Sequence, residues 1–203
     1  MNYLVWADIE TTGLDPDLDH ILEFGLVLTK LQDFAKIHNF TPIAEHRQTL
    51  AMPTERMNDF VRAMHTENGL LAELHGKVSP DPDRDYVFAE AQACKFLSDY
   101  APEPNAVFYL AGSSVHFDRS FLRRRMPLFV RKLSHRQVDV SSFKLLFNEQ
   151  IPCPKVKAAH RAIPDCYESM GELLHYLGRL DVRSNVGATQ EIYDGAATTR
   201  GGA

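Results

Sequence analysis

A chain of 203 residues in which 44% are hydrophobic is long enough to bury one sizeable core, and no low-complexity segment divides it. Its longest nearly apolar run, residues 21–28, already contains Glu23 and is far too short for a membrane-spanning helix of about 20 residues. The net charge of −5 argues against a protein that grips long nucleic acid through many Lys and Arg contacts to phosphates.

The start of the chain and its cysteines favour an intracellular protein. No basic stretch precedes the apolar segment at Tyr3 and no small-residue cleavage pattern follows it, which argues against a secretory signal. Cys94, Cys153 and Cys166 are widely spaced and odd in number, so we expect reduced, partly buried thiols. We therefore expect a soluble cytoplasmic protein, or a mitochondrial one if a transit peptide has been removed.

The N-terminal part of the chain predicts a β-hairpin followed by less regular structure. Residues 3–9 and 21–31 are apolar and β-prone, and turn-forming residues 13–16 lie between them. A third, less regular strand is expected within residues 34–50. Apolar residues then recur at helical spacing over 57–64, and a second short helix is expected over 67–74.

The rest of the chain mixes helices with short strands. The helix predicted over 86–100 should pack through one apolar stripe, formed by Val87, Ala91, Cys94, Leu97 and Tyr100. Strands are predicted over 106–111 and 137–140, and further helices over 121–130, 141–147 and 165–177. This order predicts an α/β fold with helices on both faces of a sheet. We expect one domain over residues 1–180, and a mobile tail over 181–203, which is poor in core-forming residues.

Two carboxylates lie at the end of the first predicted strand. Asp8 and Glu10 are two residues apart, so their side chains point to the same side of the sheet. Such acids repel each other unless protons or cations intervene, and a divalent metal is a usual reason to keep them. From these two residues alone, a solvated pair on an open sheet face is an equal alternative. The strand-end position favours a site, because sites in open α/β sheets form there.

Three further residues are candidates for the same site. Asp118 follows the strand at 106–111 and a small loop, although it could instead cap a helix. Pro164 favours a first helical turn, which places Asp165 at a helix start and His160 in the loop before it. A surface histidine and a first-turn acid are also an ordinary helix start. Together, four acids and one histidine fit two metal ions about 3.5–4 Å apart and a base for the attacking water.

Several strings carry a resemblance to a known family. DIETTGLD at residues 8–15 resembles the first motif of the DEDDh 3′→5′ exonuclease superfamily, the block around Asp118 its second, and His160-x4-Asp165 its third. Residues 65–70, 118–127, 139–144 and 168–169 are most similar to the oligoribonuclease family, and the resemblance covers about residues 4–178. It implies an RNase H-like mixed β-sheet and a base, His160. It also implies two Mg²⁺ or Mn²⁺ ions bound by Asp8, Glu10, Asp118 and Asp165.

The same resemblance implies contacts with a substrate of short single-stranded RNA, about two to five nucleotides long, and a homodimer. The matching positions are Leu14, Phe60, His65, Ser114, His135, Arg136 and Ser141. Leu14 matches an apolar wedge beside the terminal bases and Phe60 a stacking tryptophan, although core packing would also account for both. Arg136 and Ser141, with the neighbouring His135, match a cap on the 5′-phosphate.

The chain departs from the family pattern at three positions. His135 replaces a tyrosine that reaches the partner's active site, Phe117 replaces a glutamine, and Ser113 replaces an asparagine. Seven of the 22 basic residues lie between Arg119 and Arg136, and residues 123–125 among them are expected to form a solvated helix face or a dimer surface.

Two alternative functions remain: an exonuclease that trims or proofreads longer DNA or RNA, and a catalytically silent scaffold, which would usually have lost one of the metal acids.

Overall fold

A five-stranded mixed sheet forms the centre of the protein in a computed structural model, which describes residues 1–31, 40–74, 76–154 and 159–180. Its strands are β1 (Asn2–Thr11), β2 (Ile21–Lys30), β3 (Pro42–Thr49), β4 (Val107–Gly112) and β5 (Leu133–Asp139). They are arranged in the order β3-β2-β1-β4-β5. The first three strands are antiparallel, whereas β4 runs parallel to β1 and β5 parallel to β4. The predicted hairpin is therefore confirmed.

Helices cover both faces of this sheet. They are α1 (Asp59–Glu67), α2 (Leu70–Leu74), α3 (Pro82–Tyr100), α4 (Val115–Arg125), α5 (Pro127–Lys132), α6 (Val140–Phe147) and α7 (Ala162–Leu177). Tyr3 and Val5 of β1 belong to the core under α2 to α5, whereas Leu4 and Trp6 belong to the core under α6 and α7. Burial on both faces explains why β1 and β2 are almost continuously apolar. The predicted α/β class, with helices on both faces, is confirmed.

Helix α3 packs through a different face from the predicted one. Its buried residues are Tyr86, Ala89, Glu90, Ala93, Phe96 and Leu97. Val87 and Tyr100 of the predicted stripe are exposed, so that stripe is wrong except near Leu97. The carboxylate of Glu90 accepts hydrogen bonds from the backbone N–H groups of Leu128 and Phe129 at the start of α5. A buried acid with this role makes the true packing face look polar in the sequence.

The region predicted as one helix over 121–130 is two helices. Helix α4 begins at Val115, and Pro127 starts α5, because proline lacks the N–H that a continuing helix needs. The strand predicted over 137–140 is the end of the longer β5, after which the Asp139 side chain caps α6 by accepting from Ser141 N–H. The predicted tail over 181–203 lies outside the described residues.

Two other expectations concern membranes and thiols. No helix in the described ranges combines the length and the apolar character that crossing a bilayer requires. The three cysteines are free thiols, Cys166 buried and Cys94 and Cys153 half-buried, as expected.

One glycine sets how closely α7 approaches the sheet. Gly25 of β2 is the cross-strand partner of Asp8. A Cβ atom at Gly25 would lie 2.8 Å from Ala162 Cβ and 2.9 Å from the Ala162 carbonyl carbon. The first turn of α7 therefore lies directly on the hairpin, beside the end of β1. This contact places Asp165 on the same side of the molecule as Asp8.

Candidate active site

The predicted acids meet where β1 ends. Asp8 and Glu10 come from the strand itself, and Asp118 comes from the first turn of α4. The carboxylate of Asp118 accepts a hydrogen bond from Ile9 N–H at 3.0 Å. Asp118 is therefore not a helix cap, since the N-cap position of α4 is Ser114. The link to Ile9 holds Asp118 beside the end of β1.

The C-terminal part of the site comes from the start of α7. Asp165 lies in the first turn of this helix and accepts a hydrogen bond from Ala159 N–H at 3.2 Å. Glu10, His160 and Asp165 each offer one ligand atom, and these atoms lie within 4.8 Å of one another. His160 has a backbone φ of +49°, a left-handed conformation that non-glycine residues seldom adopt. Such conformations persist where surrounding contacts fix them, often at functional sites.

All four acids have raised pKa values. Burial, together with the nearby Asp118 and Glu10, holds the pKa of Asp8 well above its usual range. Burial and the charge of Asp165 raise the pKa of Glu10 to about 8. Burial raises the pKa of Asp118 to about 7 and also raises the pKa of Asp165. Carboxylates with raised pKa values, crowded at a buried or half-buried site, suit divalent cations, which replace protons and offset the repulsion.

His65, expected to contact substrate, lies behind Glu10. Its side chain is fully buried, with Nε2 3.0 Å from the Thr11 carbonyl oxygen and Nδ1 3.8 Å from Glu10 Oε2. Burial lowers the pKa of this imidazole. In this arrangement His65 contacts the end of β1 through Thr11 and offers no open surface to a substrate.

Leu14 and Phe60 are both on the surface, so core packing explains neither of them. Leu14 is 81% exposed and Phe60 is 77% exposed. Phe60 lines a cleft of about 520 Å³ together with Met64, Asn68 and His160. An exposed aromatic ring that shares a cleft with His160 is well placed to stack on a base.

A network of polar contacts holds the loop that carries Leu14. Asp19 is almost completely buried and accepts a hydrogen bond from Asp15 N–H at 2.9 Å. Arg125 donates to the Asp19 carbonyl oxygen at 2.9 Å, and its guanidinium lies over the ring of Tyr86. The expectation of a solvated face at residues 123–125 is therefore wrong for Arg125, which fixes this loop.

Ser114, expected to contact the substrate, and Ser141, expected at the 5′-phosphate, are in direct contact. Ser114 N–H donates to Ser141 Oγ at 2.8 Å and to Asp139 Oδ1 at 3.0 Å, and the two serine hydroxyls are 3.0 Å apart. Ser114 also has a positive φ, of +53°. His135 and Arg136 lie exposed on β5, an outer strand of the sheet.

Sequence reasoning missed the residues behind the acid cluster. Glu23, the cross-strand partner of Glu10, is completely buried and forms ion pairs with Arg47 and Arg161. The one available signal was a glutamate inside the most apolar run of the chain. Asn68, whose amide donates to the His160 carbonyl oxygen, carried no signal at all.

Comparisons with known proteins agree with this geometry. The exonuclease family RNase_T matches residues 5–173. The oligoribonuclease of Leifsonia xyli subsp. xyli is 34% identical over 200 residues, which cover 96% of this chain and 92% of that protein. The oligoribonuclease of Corynebacterium diphtheriae is 38% identical over 182 residues, covering 85% and 80% respectively.

Solved structures support the fold. Exonuclease I from Methylocaldum szegediense matches with a TM-score of 0.61 at 15% identity, over 91% of this chain and 42% of that one. E. coli exonuclease I, in complex with a 5cy-dA13 oligonucleotide, matches with a TM-score of 0.53 at 17% identity, over 88% and 41%. The oligoribonuclease relatives and the exonuclease family match together assign the chain: it belongs to the oligoribonuclease family, metal-dependent 3′→5′ exoribonucleases of the DEDDh superfamily with an RNase H-like fold.

Proposed function

We propose that this protein hydrolyses RNAs of about two to five nucleotides from their 3′ end, releasing nucleoside 5′-monophosphates. The observation that carries the proposal is the acid cluster at the end of β1, with His160 and the exposed Phe60 lining one cleft beside it. Asp8, Glu10, Asp118 and Asp165 would hold two Mg²⁺ or Mn²⁺ ions. When bound, such ions neutralise charge on the attacking and leaving oxygens of the phosphodiester.

The chain's own residues would orient the substrate and move the proton. Phe60 would stack on a terminal base, and Leu14 would wedge beside it. His160 would accept a proton from the attacking water as the new bond to phosphorus forms and the bond to the 3′-oxygen breaks. The exposed position of His160 suits this role, because the imidazole remains in contact with water.

The proposed preference for short RNA depends on the residues that would bind the 5′ end of the substrate. Ser114, Ser141 and Arg136, with His135 in place of the family tyrosine, would bind the 5′-phosphate. We also propose a homodimer, in which His135 approaches the partner's site, a cytoplasmic location without membrane association, and one exonuclease domain over residues 1–180. These proposals follow the family resemblance.

The decisive experiment compares two substrate lengths. Mononucleotide release is measured from a 5′-phosphorylated diribonucleotide and from a 20-mer, with Mg²⁺ or with EDTA. We expect metal-dependent activity that strongly favours the dinucleotide. Equal rates on both lengths would reject the preference for short RNA and favour a trimming or proofreading exonuclease.

Two histidine variants complete this test. His160→Ala should lose nearly all activity, whereas His175→Ala, in the last turn of α7, should retain it. Activity that persists in EDTA would contradict the metal-dependent mechanism. A wild type that binds RNA without cutting either substrate would identify a silent scaffold.

A further inference from the structure

An ionic cluster centred on the buried Glu23 lies directly behind the acid cluster. Glu23 has no exposed surface, and its carboxylate accepts from Arg47 Nε at 2.5 Å and from Arg161 Nε at 2.8 Å. Glu73 of α2 accepts from the same two guanidinium groups, at 2.7 Å from Arg47 and 2.6 Å from Arg161. Two arginines therefore bridge the same two carboxylates, one from β3 and the other from the start of α7.

The two arginines differ in what else they hold. Arg161 follows His160 in the chain and donates from Nη1 to the Asn68 carbonyl oxygen at 3.3 Å. The side-chain amide of Asn68 in turn donates to the His160 carbonyl oxygen. Within the described ranges, Arg47 shows no hydrogen bond to Asn68 or His160.

The His160 backbone needs such support. Its positive φ is unfavourable for a residue with a side chain, so surrounding contacts must hold it. Asp165 N–H donates to the Arg161 carbonyl oxygen at 3.0 Å, so Arg161 also joins the His160 segment to the helix that carries the fourth acid. A planar guanidinium with several fixed donors is suited to hold these groups at once, which a lysine ammonium is not.

We propose that Arg161 is a positioning residue that holds His160 in its left-handed conformation beside Glu10 and Asp165, by bridging Glu23, Glu73 and the Asn68 carbonyl group. The proposal rests on the proposed nuclease function, because it gives His160 its place as the base. Arg47, by contrast, only stabilises the fold through Glu23 and Glu73 and does not position His160. The two residues therefore form a natural matched pair for a test.

The test compares Arg161→Gln with Arg47→Gln. Each variant leaves Glu23 with one arginine, so both should lower the melting temperature by similar amounts. In Arg161→Gln we expect kcat on the diribonucleotide to fall by about 100-fold with little change in KM, because a base displaced by about 1 Å loses that much rate. In Arg47→Gln the fall in kcat should be less than about threefold. Arg161→Lys should lie between wild type and Arg161→Gln. Equal losses of kcat in the two glutamine variants would overturn the proposal.

A double-mutant cycle separates action through His160 from action through the metal acids. In a His160→Ala background, Arg161→Gln should cause no further loss of the residual activity, because the base it positions is absent. An additive loss would overturn the proposal. Recovery of Arg161→Gln at high Mn²⁺ concentration would also overturn it, since the arginine would then act through metal affinity at Glu10.

Hydrogen–deuterium exchange tests the positioning role of Arg161 without measuring catalysis, so its result does not depend on the proposed function. Hydrogen–deuterium exchange of residues 159–166 should be faster in Arg161→Gln than in wild type, and unchanged in Arg47→Gln. Unchanged exchange in both variants would overturn the positioning role even if the enzyme is active. An inactive wild type would refute the nuclease function, and the exchange data would still decide whether Arg161 fixes this segment.

Discussion

Replacing Gly25 with alanine should damage the active site, although Gly25 contributes no side chain to it. The new Cβ would lie 2.8 Å from Ala162 Cβ, 2.9 Å from Ala162 C and 3.0 Å from Ile163 N. Ordinary contacts begin at 3.4 Å, so the start of α7 must move away by about 0.6 Å. Two of the three contacts are with backbone atoms, so no side-chain rotation relieves them. Overpacking of this kind typically costs about 1–3 kcal/mol.

The same displacement should lower activity, because α7 carries Asp165 and His160 directly precedes it. We expect urea unfolding, followed by the fluorescence of the completely buried Trp6, to show the loss of stability. The value of kcat should fall by as much as about 100-fold. Gly171→Ala is the control in the same helix, since nothing lies within 4 Å of its Cβ position. Helix propensity should make that variant slightly more stable. Wild-type stability and kcat in Gly25→Ala would refute the reasoning.

Three further predictions follow from the site. The pKa values of Glu10 and Asp118 in the folded protein, about 8 and about 7, lie above those of unfolded carboxyl groups. Without metal, the folded protein therefore binds more protons than the unfolded chain between these values. Its stability should fall as pH rises from about 4 to about 8. Melting temperatures in EDTA should therefore fall over this range, and Mg²⁺ should raise them more at pH 8 than at pH 5; a constant Mg²⁺ effect would contradict this. Phe60→Ala should change the unfolding free energy by less than about 0.5 kcal/mol. It should raise KM by about 5–150-fold, the equivalent of one base stack, and an unchanged KM would exclude stacking. His135→Ala should raise KM for a 5′-phosphorylated dinucleotide more than for one without the phosphate, and equal changes in KM would exclude a phosphate contact by His135.

The sequence predicted those features that depend on short-range pattern. The period of two in β1 places Asp8 and Glu10 on one side of the sheet, and turn residues predict the hairpin. Motif resemblance then added Asp118, His160 and Asp165, which the fold brings to the same strand end. Each of these residues lies at the end or start of a regular element, where local signals are strong.

The features that the sequence did not predict depend on contacts between distant segments. The buried face of α3 includes Glu90, whose partners are N–H groups at the start of α5, so the apolar stripe alone indicates the wrong face. The exposure of Phe60 depends on how α1 packs against the rest of the fold, because the spacing of Phe60 also suits a core residue. The pairing of Glu23 with Arg161 joins residues 138 positions apart, which no local pattern reveals.

The acid cluster takes its members from opposite ends of the described chain, Asp8 and Glu10 from the first strand and Asp165 from the last helix. A nascent or truncated chain that ends before residue 160 has neither Asp165 nor His160. Translation products that end before Asp165 therefore carry no complete site, and the order of synthesis itself delays nuclease activity until the last helix has been made and packed.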